Sequence, residues 1–72
     1  MRTLAKIVMP CFDWRIETDY QTYNVYRMYS EYDPDRGVKK HKFLEQKCGC
    51  MRECLAFIMD FERNATIEQF VH

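Results

Sequence analysis

Two prolines and two glycines are the only strong backbone punctuation in 72 residues, and two of them fall in one pentapeptide, DPDRG at residues 33–37. Pro34 presets φ for a turn, Asp33 and Asp35 can bond their own backbone, and Gly37 supplies the positive φ that rejoins a strand. Before this turn, TYNVYRMYSEY is rich in tyrosine and free of glycine and proline; after it, VKKHKFLEQKC is the natural return strand. The stretch predicts a long hairpin over about residues 21–47. A lone hairpin is marginal in water, so something must cover it.

The cover is CMRECLAFIMDFERN. On a helical wheel Met51, Cys54, Leu55, Ile58, Phe61 and Ala65 share one side, with Phe57 and Met59 at its margins and Arg52, Glu53, Asp60, Arg63 and Asn64 opposite. Glu62 interrupts the apolar side and is expected to reach solvent near the helix end. The spacing Cys50-Met51-Arg52-Glu53 is that of a capping box with a thiol in the cap position, and Gly49 eases the turn into the helix. Thr66-Ile67-Glu68-Gln69 repeats the spacing, which predicts a separate short helical turn docking Phe70 and Val71 on the same core. Towards the N-terminus, WRIET alternates apolar and polar residues and reads as a further strand, while TLAKIVM fits either a strand or a helical turn. The expected fold is α+β: a small antiparallel sheet, with a third N-terminal strand, on one amphipathic helix over about 50–64.

Residues 1–72 are expected to form one compact domain. At this size only about 60% of the surface exposed by the unfolded chain is removed on folding, so the core must be thin and a deep cleft is not expected. A hydrophobic fraction of 47% with 15% aromatics still argues for a folded chain. No stretch approaches the ~18 apolar residues of a membrane span, and MRTLAKIVMP is too charged for an export signal, so a cytoplasmic protein without a membrane partner is expected.

Zero net charge conceals a partition. Residues 1–35 carry four basic and six acidic groups, 36–52 six and one, and 53–72 one and four. Positive charge is thus concentrated in RGVKKHKFLEQK. On a strand Lys40 and Lys42 point one way and Lys39 and His41 the other, as suits a solvated edge guarded by lysines or a contact with an anionic partner.

Tyrosine recurs at every third position, Tyr20, Tyr23, Tyr26, Tyr29 and Tyr32. On a strand this splits into Tyr20, Tyr26 and Tyr32 on one face and Tyr23 and Tyr29 on the other, and the hairpin register decides which set the helix covers. If Tyr26, Met28 and Leu44 face the helix, an aromatic and basic patch is left outward: Tyr23, Arg27, Tyr29, His41 and Phe43, with Lys39, Lys40 and Lys42 beside them. Tyrosine and arginine are enriched at interface hot spots, and aromatic faces also stack on bases.

Cys48, Cys50 and Cys54 make C-x-C-x3-C, three soft ligands that Cys11, His41 or His72 would complete to a zinc set. Paired C-x2-C knuckles are missing, and Cys54 sits on the apolar side of the helix, so no metal or other cofactor is expected and thiols rather than disulfides suit the absence of an export signal. Cys50 next to a helix start, Lys47 and Arg52 has the setting of a lowered thiol pKa. With no P-loop, dinucleotide fingerprint, nucleophile elbow or HExxH, and no paired carboxylates, an enzyme is not expected.

The leading expectation is a small protein-binding module, an inhibitor, adaptor or subunit that docks on a protein partner or on itself. A nucleic-acid binder using the same Tyr/Lys/Arg surface is the alternative, although no RNP-type sequence, GXXG loop or helix-turn-helix pattern is present; a small zinc domain is the third. In size and hairpin-plus-helix layout the chain resembles small accessory proteins of phages and mobile elements, including inhibitors of host defence nucleases. That likeness assigns no residue a role.

Overall fold

The computed structural model describes the backbone of residues 2–71 and the side chains of residues 2–69. Four strands, β1 (Arg2–Val8), β2 (Asp13–Thr18), β3 (Tyr23–Asp33) and β4 (Gly37–Cys48), form one antiparallel meander in the order β1-β2-β3-β4, followed by a helix, α1 (Met51–Val71). The α+β class, the long hairpin and the single covering helix are as the sequence predicts. Both N-terminal segments are strands, so TLAKIVM extends the sheet to four. The second capping-box spacing begins no new element, because residues 66–71 continue α1. The docking expected of Phe70 and Val71, and His72 as a ligand, lie outside the described residues.

The turns follow their residue chemistry. At 33–37, Asp33 Oδ1 accepts the Asp35 N–H at 2.9 Å, its carbonyl accepts from Arg36, and Gly37 has φ 84°. The β2–β3 turn is tied by Asp19, whose Oδ1 accepts from the N–H groups of Thr22 and Gln21. Those bonds hold its carboxyl below the usual carboxylate range, Thr22 first and Gln21 next. Tyr20 lies in this turn at φ 74° and is exposed, so it leaves the tyrosine series and belongs to neither strand face.

Register decides which face the helix covers. Trp14, Ile16 and Thr18 share a side of β2, and pairing sets them opposite Arg27, Val25 and Tyr23 of β3, with Tyr23 in turn opposite Cys48. The core is Trp14, Ile16, Val25, Cys48, Cys54 and Ile58, with Ala5, Ile7, Phe12, Phe57 and Phe61 packed on it. Trp14 takes Phe12, Phe57 and Phe61 edge-on at ring centroid distances of 6.1, 6.3 and 5.2 Å. The helix therefore covers the face of Tyr23, Val25 and Arg27. The arrangement with Tyr26, Met28 and Leu44 under the helix is reversed.

Arg27 is tolerated on the covered face because its guanidinium lies over Phe12, Phe43 and Phe61, at 4.9, 5.8 and 5.7 Å, and pairs with Glu45 at 3.3 Å. Glu45 is the extra residue where the β3–β4 register shifts between Val25 and Tyr26, a bulge within β4.

The helix is rotated from its apolar stripe. Leu55 and Met59 are exposed, while Glu62 is 4% exposed. Because α1 runs on to residue 71, Glu62 lies well inside it, over the β1–β2 turn. Its carboxylate accepts the Phe12 N–H at 2.9 Å, the Cys11 N–H at 3.0 Å and the Trp14 indole N–H at 2.8 Å. Burial pushes its pKa up, but these bonds outweigh burial and hold it below the ordinary 4.5. At the other end, the Glu53 carboxylate accepts the Gly49 N–H at 3.0 Å, the return half of a capping box displaced by one residue.

A carboxylate with a lowered folded-state pKa contributes stability above its unfolded value and loses it as pH falls through the folded one. Urea denaturation of Glu62→Ala at neutral pH is therefore expected to show a loss of about 2–4 kcal/mol, one buried and two half-buried donors losing their acceptor, with Glu62→Gln intermediate. Below the ordinary value of 4.5 the wild type should lose stability that Glu62→Gln does not.

Candidate functional site

The sheet face that α1 leaves uncovered is the candidate site. Pairing places Lys6 opposite Arg15, Val8 opposite Asp13, Asp13 opposite Met28, Arg15 opposite Tyr26, Tyr26 opposite Leu44, Met28 opposite Lys42 and Ser30 opposite Lys40, all on this side. Asn24 and Lys47 join them at the far end, and Tyr32 and Val38 at the hairpin tip. The ionised groups of this face are thus Lys6, Arg15, Lys40, Lys42 and Lys47 against Asp13 and Glu17: five cations and two carboxylates. One of the two is already neutralised. Glu17 is 5% exposed, and Lys42 Nζ lies 3.2 and 3.1 Å from its two oxygens while resting 4.6 Å above the Tyr26 ring. Arg15 approaches the same carboxylate at 4.0 Å.

The residues expected to bind a partner are divided by the sheet. Lys40 and Lys42 lie on the open face. Tyr23, Arg27, Tyr29, Lys39, His41 and Phe43 lie on the other, where Tyr23 is half-buried against the core and Arg27 is enclosed by its three rings. Tyr29 and His41 escape burial because the hairpin outruns its neighbours, β2 pairing with β3 only as far as Asp13–Met28, while Phe43, opposite Arg27, is left half exposed on the edge strand β4. Beyond that point residues 29–33 and 37–41 form a two-stranded arm. On it Tyr29 stacks on His41 at 5.1 Å, and His41 Nε2 lies 3.1 Å from the Glu31 carboxylate. Tyr29 and Phe43 are each about half exposed, at 50% and 53%.

The step between arm and sheet creates a shallow depression of about 240 Å³ on the open face, lined chiefly by Lys6, Val8, Asp13, Arg15, Met28 and Lys40. Lys6, Arg15 and Asp13 escaped the sequence reading, since their nearness to Lys40 depends on the pairing of four strands. The alternation of WRIET was the available signal: it puts Asp13, Arg15 and Glu17 on the side away from Trp14.

Cys48, Cys50 and Cys54 lie near one another, but not as a metal-binding set, and Cys11 is apart from them beside Thr66. Cys48 and Cys54 are buried, Cys50 is exposed, and among the described residues no group of three or more His, Cys, Asp or Glu side chains is disposed to hold a metal ion. Burial first, then a hydrogen bond to Cys48 and the nearby Cys48 and Cys50 sulfurs, pushes the Cys54 thiol up to about 12. No described helix is long and apolar enough to cross a membrane. Comparison with protein-family models, with curated proteins and with solved structures found no match.

Alkylation of the native protein near pH 8 is expected to label Cys50 and spare Cys54, with all four thiols labelled after denaturation. Labelling of Cys54 at the rate of Cys50 by mass spectrometry would contradict the burial described here.

Proposed function

We propose that the protein is a non-enzymatic binding module whose open sheet face holds a single-stranded nucleic acid. The observation that carries this reading is the sorting of charge by the fold. A chain of zero net charge places five cations and two carboxylates on one sheet face, a local excess of three, and so leaves a deficit of three on the rest of the molecule. A polyanion meets a net excess of counter-charge on that face. Between the cations stand side chains suited to unpaired bases: Tyr32 at the arm, and Leu44, Met28 and Val8 across the sheet. Base faces stack or pack on such groups with little dependence on sequence. The surface is shallow, as befits an extended strand rather than a small substrate. Four thiols suit the cytoplasm, where the sequence led us to place the protein.

A second reading, docking on a protein, is favoured by the other side of the arm. Tyr29 is exposed there against His41, and Phe43 and Arg27 follow where the arm joins the sheet, an aromatic and basic group of hot-spot type.

Titration of labelled single-stranded DNA and RNA against the protein by fluorescence anisotropy tests the first reading. Binding is expected at low salt, with log K falling by about 2 to 3 per tenfold rise in salt, the slope for three or four neutralised phosphates. Lys40→Glu with Lys47→Glu, both exposed positions, should weaken binding by more than about tenfold, whereas Tyr29→Ala should leave it unchanged. Absence of binding to either polymer at low salt overturns the reading in favour of a protein partner.

A further inference from the structure

The depression between the arm and the sheet has a composition that the rest of the open face lacks. Three cations border it, Lys6 and Arg15 paired across β1 and β2 and Lys40 on the arm, yet a carboxylate, Asp13, stands in the same wall. Met28 is its cross-strand partner and Val8 its neighbour on β1, so an apolar floor lies directly beside the acid. Ser30 adds a hydroxyl on the arm side. Among the described residues Asp13 makes no ion pair and no side-chain hydrogen bond, unlike Glu17 on the same strand, which Lys42 and Arg15 neutralise. At about 240 Å³ the depression falls below the ~300 Å³ at which pockets for whole drug-sized ligands begin. It suits one unit of a polymer.

Resting on the nucleic-acid reading above, we infer that this depression is a nucleotide subsite that prefers bases carrying an exocyclic amino group at the Watson–Crick edge, cytosine above thymine or uracil. A carboxylate is acceptor only, so it bonds the cytosine N4 amino group and repels the O4 carbonyl that thymine and uracil present in the same place. Met28 and Val8 supply the apolar surface for the ring. Lys6, Arg15 and Lys40 take the flanking phosphates, so that the acid reads the base while the cations supply affinity. An acid bordered by three cations is costly for a site that holds phosphate alone, because it subtracts from the attraction. The cost is understandable when the acid has a base to bond.

The test compares oligo-dC with oligo-dT of equal length on the whole protein, in wild type, Asp13→Ala and Lys40→Glu, with circular dichroism to verify folding. The wild type is expected to bind oligo-dC about tenfold more tightly, within the discrimination typical of one base-edge contact. Asp13→Ala should bind both oligomers equally and oligo-dT no less tightly than the wild type does. Lys40→Glu should weaken both alike and keep their ratio. Equal binding of the two by the wild type, or a preference that survives Asp13→Ala, overturns the subsite and leaves the nucleic-acid reading standing. Failure of every oligomer to bind overturns both.

Discussion

The fold depends on one buried carboxylate. Glu62 receives two backbone N–H groups of the β1–β2 turn and the indole N–H of Trp14, the largest fully buried side chain. Without it the Trp14 indole N–H would be stranded in the core, and the two half-buried N–H groups of the turn would lose their acceptor. The contact therefore does three things together. It closes the N-terminal hairpin, it holds Trp14 where Phe57 and Phe61 meet its edges, and it fixes the rotation of α1 so that Cys54 and Ile58 point into the sheet. Removing it compares in scale with losing a buried aliphatic side chain, worth about 1.5–3 kcal/mol each. In a core with only a handful of such side chains, that is a large share.

Helix rotation also decides what is left outside. With α1 seated over Trp14, Ile16 and Val25, strand alternation sends Asp13, Arg15 and Glu17, and with them Tyr26, Met28 and the even-numbered lysines of β4, to the uncovered face. A surface kept merely soluble intersperses both signs of charge. Here the two carboxylates are placed differently from each other. Glu17 is buried beneath Lys42 and acts as an internal counter-ion, which leaves Asp13 as the one acid aimed outward among cations. The acids that balance the chain lie elsewhere, among them Glu31 and Asp33 on the opposite side of the arm and Glu53, Asp60 and Glu68 on α1.

The hairpin, its turn and the helix were legible because their signals are local: DPDRG has turn chemistry in five residues, and the 50–64 segment repeats near the helical period. The face was not legible, since it follows from pairing between strands. Arg27 disguised it. A cation between Val25 and Tyr29 marks their side as the solvated one, unless three aromatic rings and Glu45 wait to enclose it, and those partners come from the β1–β2 turn, β4 and the helix. Glu62 misled for the same reason: as a lone acid in an apolar stripe it looks like a residue bound for water, and its donors are some fifty positions away in sequence. The tyrosine series proves to be two unrelated things. Tyr20 is a turn residue with positive φ, and the remaining four alternate between a covered face and an open one.

Unequal strand lengths give the open face its depression. β2 has 6 residues and β3 has 11, so nearly half of β3 runs on without a neighbour on that side. A flat four-stranded sheet of even lengths would carry the same cations with no preferred place for a ligand unit. Where β2 stops, the step exposes the flank of Met28 and Ser30 and brings Lys40, from the arm, over against Lys6 and Arg15. Residues far apart in sequence become the border of one depression because one strand is short. The turn at 33–37 and the turn at Pro10, which together set how far each hairpin extends, therefore shape the site as directly as the side chains that line it.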